Sequence, residues 1–315
     1  MEIIKYVYGQ TKPSKKGLAV ALGFFDGVHL GHRRLLRELK EKAELLGLEP
    51  CVFTFESGLR RTKNIQTILY NNEDKTQIFK ALGIPTVIFA DFDSISGLSP
   101  EEFVNEVLIR DFDVKIAIAG FNFRFGKRAS GDSDTLVKMM SERGCEAFIV
   151  DEQSLDGQSL SSTLIRGLLS EGRTEEANRL LGSPYFIRGR VERGLGLGAH
   201  FGFPTVNTPI SETSPLKTGV YRAAVKIGEK LYTGITNVGE CPTVKAREIH
   251  AETLIADFCG DLYGKEIYVY LLEYLREERN FGSVELLREQ IYRDRDVSKK
   301  KNGDLKWLEI GLSSP

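Results

Sequence analysis

Gly23-Phe24-Phe25-Asp26-Gly27-Val28-His29-Leu30-Gly31-His32 is the stretch on which the reading of the fold turns. It closes an apolar run, residues 18–25, that has the length of a buried strand and breaks at Asp26-Gly27. Beyond it Leu35, Leu39, Ala43 and Leu46 recur at helical spacing, and Gly47 supplies a stop. A strand that turns directly into a helix leaves the first helical N–H groups free at the positive end of the helix dipole, which makes a phosphate site. Gly23, Gly27 and Gly31 let a nucleotide approach the backbone. His29 and His32 stand at i and i+3 on the first turn, where each can donate to phosphoryl oxygens as charge builds in a displacement. Half of the chain's 4 histidines fall in this turn.

Outward from the turn, residues 50–55 read as a second strand and 73–82 as a helix ending at Gly83. The strand at 86–92, a helix opening at Ser99-Pro100-Glu101-Glu102 and the strand at 115–120 follow. Strands alternating with helices predict parallel crossovers, hence an α/β unit with helices on both faces of a parallel sheet. Helices near 162–170 and 174–181 end this pattern. After Gly182-Ser183-Pro184 the segments 185–193, 219–227, 231–236, 249–258 and 266–275 alternate like half-buried strands, which predicts an antiparallel barrel or sandwich. A terminal helix is expected over about 283–293, and the domain boundary near Ser183, giving domains 1–183 and 184–315.

Composition limits the partners. The chain has 315 residues, with 43 Lys and Arg against 44 Asp and Glu, a net charge of −1. Such a balance supplies no general field for nucleic acid or an anionic membrane, so any phosphate must be held locally. No apolar segment reaches the roughly 18–20 residues that span a bilayer, and the N-terminus does not have the layout of a signal peptide. Cys51, Cys145, Cys241 and Cys259 form no metal-spaced pair and read as reduced thiols in a cytoplasmic protein.

Three further constellations stand out. Ser161-Ser162-Thr163 with Arg166 resembles a helix start in which one serine caps the helix and the hydroxyls and guanidinium form an anion clamp. Gly194, Gly196 and Gly198 form a loop whose N–H groups can face phosphates. Past them, Pro204-Thr205-Val206-Asn207 places a hydroxyl and an amide on one side of an extended segment, both hard neutral ligands for Mg²⁺ carried by ATP. The aromatic run Gly120-Phe121-Asn122-Phe123-Arg124-Phe125-Gly126-Lys127 could serve as core.

The HxGH turn and the SSTxxR start resemble the nucleotidylyltransferase superfamily, and the run around Asn122 resembles its prokaryotic FAD synthetase branch. The order Gly194 to Asn207, Asn237, Pro242-Thr243, Glu252 and Arg276 resembles riboflavin kinase. Over about residues 15–298 the chain is similar to the bifunctional bacterial riboflavin kinase/FAD synthetase family. The resemblance implies a Rossmann-like N-terminal domain that adenylylates FMN to FAD and a C-terminal β-barrel that phosphorylates riboflavin to FMN. ATP is the co-substrate at both sites, Mg²⁺ accompanies it, and the flavins are substrates and products. His29, His32, Asn122 and Arg166 would act at the first site, with Gly23, Phe24, Asp26, Gly31, Ser161, Ser162 and Thr163 binding the nucleotide. Glu252 would accept the proton of the ribityl hydroxyl at the second. There Gly194, Gly196, Gly198, Pro204, Thr205, Asn207, Asn237 and Arg276 would bind ligands, with Thr205 and Asn207 on the metal. The expected state is a monomer or weak homo-oligomer with no nucleic-acid or membrane partner.

Some residues depart from the family's pattern: Glu56-Ser57-Gly58 replaces a proline-containing loop, and Ala199, Val206 and Leu254 stand where Arg, Ala and His are frequent. Two other readings follow: an FAD synthetase with a non-catalytic flavin-holding barrel, or a regulator that senses flavins without turnover.

Overall fold

The computed structural model describes residues 1–300 except 14, 16, 57–66, 156, 195–202 and 243–246, and only the backbone of 241–242, 247–248 and 299–300. The chain divides into two compact units, Met1–Ser162 and the residues from Thr163 onward.

In the first unit the sheet strands are β1 (Glu2–Tyr6), β2 (Leu18–Leu22), β3 (Glu49–Phe55), β4 (Thr86–Ala90), β5 (Ile116–Gly120) and β8 (Glu146–Val150), all parallel, in the order β1-β4-β3-β2-β5-β8. Two small hairpins, β6 (Arg124–Phe125) with β7 (Gly131–Asp132) and β9 (Ser154–Leu155) with β10 (Gln158–Ser159), lie outside it. The crossovers carry α1 (Leu30–Leu46), α2 (Asn72–Ala81), α3 (Phe92–Ile95), α4 (Pro100–Glu102), which continues as a π-helix over Phe103–Asp111, and α5 (Ser133–Ser141). Every residue of β2 is buried, and it sorts by side. Ala19 and Ala21 face one core with Leu35, Leu36, Leu39 and Ala43 of α1, while Leu18, Val20 and Leu22 face the other with Phe53, Phe103 and Phe112. The two alanines let α1 sit close to the sheet, and each fully buried leucine opposite them contributes about 1.5–3 kcal/mol. Gly47 ends α1 in the left-handed conformation, its N–H reaching back to Ala43 and Glu44. Ser99 and Glu102 form the capping box at α4.

This is the expected α/β class with helices on both faces. The sequence pattern left β1, α5 and β8 unassigned.

In the second unit α6 (Ser162–Glu171) and α7 (Thr174–Leu181) precede β11 (Tyr185–Arg190), β12 (Thr205–Pro209), β13 (Gly219–Ile227), β14 (Lys230–Pro242), β15 (Arg247–Ile255), β16 (Glu266–Arg276) and the terminal helix α8 (Val284–Lys300). The antiparallel order is β11-β16-β13-β14-β15-β12. A bridge between Glu192, just past β11, and Asn207 of β12 joins the two edges, so the sheet curls toward a barrel. That is the expected β class. α7 packs on this sheet: Asn178 donates through Nδ2 to the Leu271 carbonyl at 2.8 Å and accepts from the Tyr185 N–H at 2.7 Å. The cut between compact units falls after Ser162, the first residue of α6, earlier than the change of sequence pattern near Ser183.

Candidate functional site

β2 is the point at which the parallel sheet reverses direction. The chain builds outward from it through β3 and β4, then returns to place β5 on its other side. In such sheets ligands bind beyond the carboxyl ends of the strands at this switch. The Gly23–His32 turn leaves the end of β2 and Phe121-Asn122 leave the end of β5, so the two predicted motifs flank one crevice.

The turn is strained and tied down. Phe25 and Val28, both without exposure, have φ of 52° and 45°. A left-handed β-branched residue persists only where its surroundings force it. The forcing is visible in hydrogen bonds. The Phe24 carbonyl accepts from Thr54 Oγ1 at 3.0 Å, the Val28 carbonyl from Arg33 Nε at 3.2 Å, and the Asp26 carbonyl from Ser162 Oγ at 2.7 Å. The Asp26 carboxylate accepts from the Leu69 N–H at 2.8 Å. Ser162 is thus the first helical residue of α6, with its hydroxyl on the turn rather than serving as the helix cap.

His29 itself caps α1. Its Nδ1 accepts from the His32 N–H at 3.4 Å, which puts its proton on Nε2. The two imidazoles stack with centroids 3.8 Å apart. Gly31 makes room for this, because a Cβ there would lie 3.2 Å from the His29 ring. Burial pushes the His29 pKa down to about 4. Burial, then the charges of His29 and Lys75, holds His32 well below the ordinary histidine value. Both rings are therefore neutral N–H donors at neutral pH. His32 Nδ1 is buried without a hydrogen-bond partner.

Asn122 is exposed, its amide oxygen folded toward Gly120. The three aromatics around it divide: Phe121 is exposed, Phe123 half-buried and stacked on Phe125, and Phe125 belongs to the core. Phe24 is 39% exposed at the turn. Thr163 and Arg166 belong to the second compact unit, where Arg166 donates to the Thr163 hydroxyl at 3.0 Å.

The sequence reading missed Lys75. Its helix begins at the Asn71 cap, and Lys75 lies one turn before the fully buried Phe79, so helical spacing placed it on the inner face. The lysine is only 1% exposed, with its ammonium 5.1 Å from the Phe24 ring centroid.

In the second unit the register does the assembling. Asn207 on β12 pairs with Glu252 on β15, which pairs with Asn237 on β14, so three polar side chains lie abreast on one face. Thr205 and His250 flank them two residues along. All five line a cavity of about 810 Å³, walled on its far side by Arg276, Glu278 and residues of α8. Gly194 packs so closely on the Asn207 amide that any Cβ would overlap it. The side-chain oxygens of Thr205 and Asn207 have no hydrogen-bond partner among the described residues, and two neutral oxygens facing a cavity fit Mg²⁺. Asn237 donates to Glu278 at 2.7 Å, and its Oδ1 is buried without a partner. Enclosure by the cavity walls raises the Glu252 carboxyl above the usual range. His250 opposes this and the Glu278 charge adds to it.

The other predicted ligand residues are placed in different ways. Pro204 is exposed and does not line the cavity. Arg276 is engaged by Asp294 of α8 at 2.8 Å through Nη2 and 3.1 Å through Nε, so its guanidinium anchors a helix. Gly196, Gly198, Ser57, Gly58 and Ala199 lie outside the described residues.

An α/β unit with a histidine-bearing switch point and a curled antiparallel unit with its own polar cavity define a two-part transferase-like chain. The FAD synthetase family model matches residues 11–164 and the riboflavin kinase model residues 181–302. The chain belongs to the bifunctional riboflavin kinase/FMN adenylyltransferase family. It is 34% identical over 300 residues to the bifunctional riboflavin kinase/FMN adenylyltransferase of Escherichia coli K12, covering 93% of this chain and 96% of that one. To the Listeria monocytogenes protein of the same name it is 35% identical over 285 residues, covering 87% and 89%. A crystal structure named as a macrolide-efflux protein from Streptococcus pneumoniae superimposes with a TM-score of 0.84 at 29% identity, covering 95% of this chain and 99% of that one. Among the described residues of this chain no helix is long and apolar enough to cross a membrane.

Proposed function

We propose that the chain carries out both transfers, riboflavin to FMN in the barrel and FMN to FAD in the α/β domain, with the activities divided at the change of pattern near Ser183. The observation that carries this reading is the side-by-side register of Asn207, Glu252 and Asn237 in a walled cavity, in a chain that also keeps both histidines at its switch point.

In the barrel, Glu252 takes the proton from the ribityl 5′-hydroxyl as its oxygen attacks the γ-phosphorus of ATP and ADP leaves. A carboxyl raised by enclosure is a better proton acceptor than an ordinary one. Thr205 and Asn207 would hold Mg²⁺, which supplies charge neutralisation on the phosphates. Asn237, with an unpartnered oxygen, orients a donor of the substrate.

In the α/β domain, an oxygen of the FMN phosphate attacks the α-phosphorus of ATP and pyrophosphate leaves. His29 donates through Nε2–H, and His32 stands stacked beside it as a second neutral donor. Asn122 borders the same crevice, and Ser162, held on the turn at the Asp26 carbonyl, stands to hold the leaving group. The protein works in the cytoplasm as a monomer or weak homo-oligomer, on small molecules only.

Purified protein incubated with riboflavin, ATP and Mg²⁺ should yield FMN with ADP, then FAD with pyrophosphate. FMN without FAD removes the adenylyltransferase half. FAD formed only from added FMN removes the kinase half, and saturable flavin binding without either product favours a sensor.

A further inference from the structure

We propose that His250 is a substrate-contacting residue of the kinase site: with Glu278 and Asn237 it forms a polar subsite for the secondary hydroxyls of a polyol chain, one step along the cavity from the oxygen that Glu252 deprotonates. The proposal rests on the riboflavin kinase reading above.

Side chains two apart on a strand share a face, so His250, Glu252 and Leu254 of β15 all line the cavity. The register gives each its row. Leu254 lies beside Thr205 and Ile235, Glu252 beside Asn207 and Asn237, and His250 beside Pro209 and Gly239. Neither Pro209 nor Gly239 brings a polar side chain to the His250 row, yet a carboxylate stands there. Gly239 leaves a space that Glu278 fills, since a Cβ on Gly239 would collide with the Glu278 carboxylate. Glu278 Oε1 accepts from Asn237 Nδ2 at 2.7 Å, which fixes the carboxylate in this row. His250 is 8% exposed. Its Nε2 lies 3.9 Å from Glu192 Oε2, beyond hydrogen-bond length, and a pair with so exposed a carboxylate contributes little. Steadying Glu192 does not account for an imidazole that lines the cavity.

The order of the rows sets the direction of the substrate. Thr205 and Asn207, the metal-phosphate end, lie in the rows of Leu254 and Glu252. In phosphoryl transfer the attacking and leaving oxygens lie roughly in line on opposite sides of the phosphorus. A nucleophile whose hydroxyl stands at Glu252 therefore carries its chain away from Thr205, into the His250 row. Two residues of strand advance about 7 Å, the reach of a few carbons. In riboflavin those carbons bear hydroxyls, each both a donor and an acceptor. The subsite meets both needs. Glu278 and the buried, partnerless Asn237 Oδ1 accept, and the imidazole N–H donates. In the opposite direction the chain would meet Leu254 and Ile235, which offer nothing to a hydroxyl.

Riboflavin analogues that lack one ribityl hydroxyl, at the 2′, 3′ or 4′ carbon, test this in the full-length protein. In the wild type at least one analogue should lose about 10-fold in kcat/KM for phosphorylation, the worth of one hydrogen bond. His250→Leu should lose about as much with riboflavin itself, in the riboflavin KM more than in kcat, and lose nothing further with that analogue. A merely structural role would slow every flavin alike and keep the discrimination. His250→Gln, which retains a donor and an acceptor, should recover most of the rate and of the discrimination. FAD formation from added FMN serves as the folding control. Discrimination that persists in His250→Leu, or a rise confined to the KM for ATP, overturns the proposal. So does a wild type that phosphorylates all three analogues as well as riboflavin, a result that needs no variant to fold. A wild type that makes no FMN removes the kinase reading instead, and flavin-fluorescence titration with riboflavin and the three analogues still reports whether the subsite reads the hydroxyls.

Discussion

Removing the Arg276–Asp294 pair separates two roles for Arg276, as a ligand contact and as a helix anchor. The guanidinium makes contacts of 2.8 and 3.1 Å with one carboxylate oxygen, and the side chains are 14% and 8% exposed. Stripping one partner from a buried pair costs roughly 3–5 kcal/mol. Gln290 Nε2 still donates to Asp294 Oδ1 at 2.8 Å when Arg276 is gone, and some solvent reaches the pair. We therefore expect about 2–3 kcal/mol for Arg276→Met, a fall of roughly 10 °C in the melting of the second unit. Asp294→Asn should cost a similar amount, and the double variant little more than either alone, since both act through one contact. The assay is residual riboflavin phosphorylation after graded heating, alongside the KM for riboflavin. Leu287, Ile291 and Asp294 of α8 line the cavity, so loosening the helix should raise KM more than it lowers kcat. If Arg276→Met abolishes FMN formation while Asp294→Asn melts and works like the wild type, the guanidinium acts on substrate and the anchor argument is wrong.

Other outcomes follow from the sites. Glu252→Gln should slow FMN formation by about 10²–10⁴ and leave FMN-to-FAD conversion intact; equal loss of both, read by product separation, would refute the independence of the sites. Because the Glu278 charge helps raise the Glu252 carboxyl, Glu278→Gln should move the acid limb of the kinase pH profile downward. His29 has a folded pKa of about 4 against an ordinary 6.5, so between those values the unfolded chain binds the extra proton and stability falls with falling pH. The loss should reach about 3 kcal/mol below pH 4 and be absent in His29→Gln, as read by denaturant midpoints at pH 7 and 4.5. Gly194→Ala should displace the Asn207 amide and cut FMN formation by about 100-fold with a raised Mg²⁺ requirement, while FAD formation stays unchanged.

The local part of this architecture was legible because local chemistry carries it. The turn after Leu22, the helix to Leu46 with its Gly47 stop and the capped start at Ser99 follow from spacing and side-chain type alone. What escaped depends on partners far away in sequence. β1 is a half-exposed edge strand whose register against Thr86–Ala90 no periodicity announces. Lys75 sits in a run, Glu73-Asp74-Lys75, that reads as a solvated face unless Phe79 is counted as its neighbour. The grouping of Asn207, Glu252 and Asn237 exists only in the strand register. The pairing of Arg276 with Asp294 was not legible either, because a guanidinium suits an anionic ligand and a carboxylate equally.

The bridge that draws the barrel edges together passes through Asn207, whose carbonyl accepts the Glu192 N–H at 2.9 Å. The residue that faces the cavity with its amide is thus also the clasp of the seam. Any ligand that steadies the Asn207 side chain steadies the clasp, and a steadied clasp slows amide proton exchange at Glu192. That single backbone proton becomes a gauge of cavity occupancy that needs no turnover and no label on the flavin.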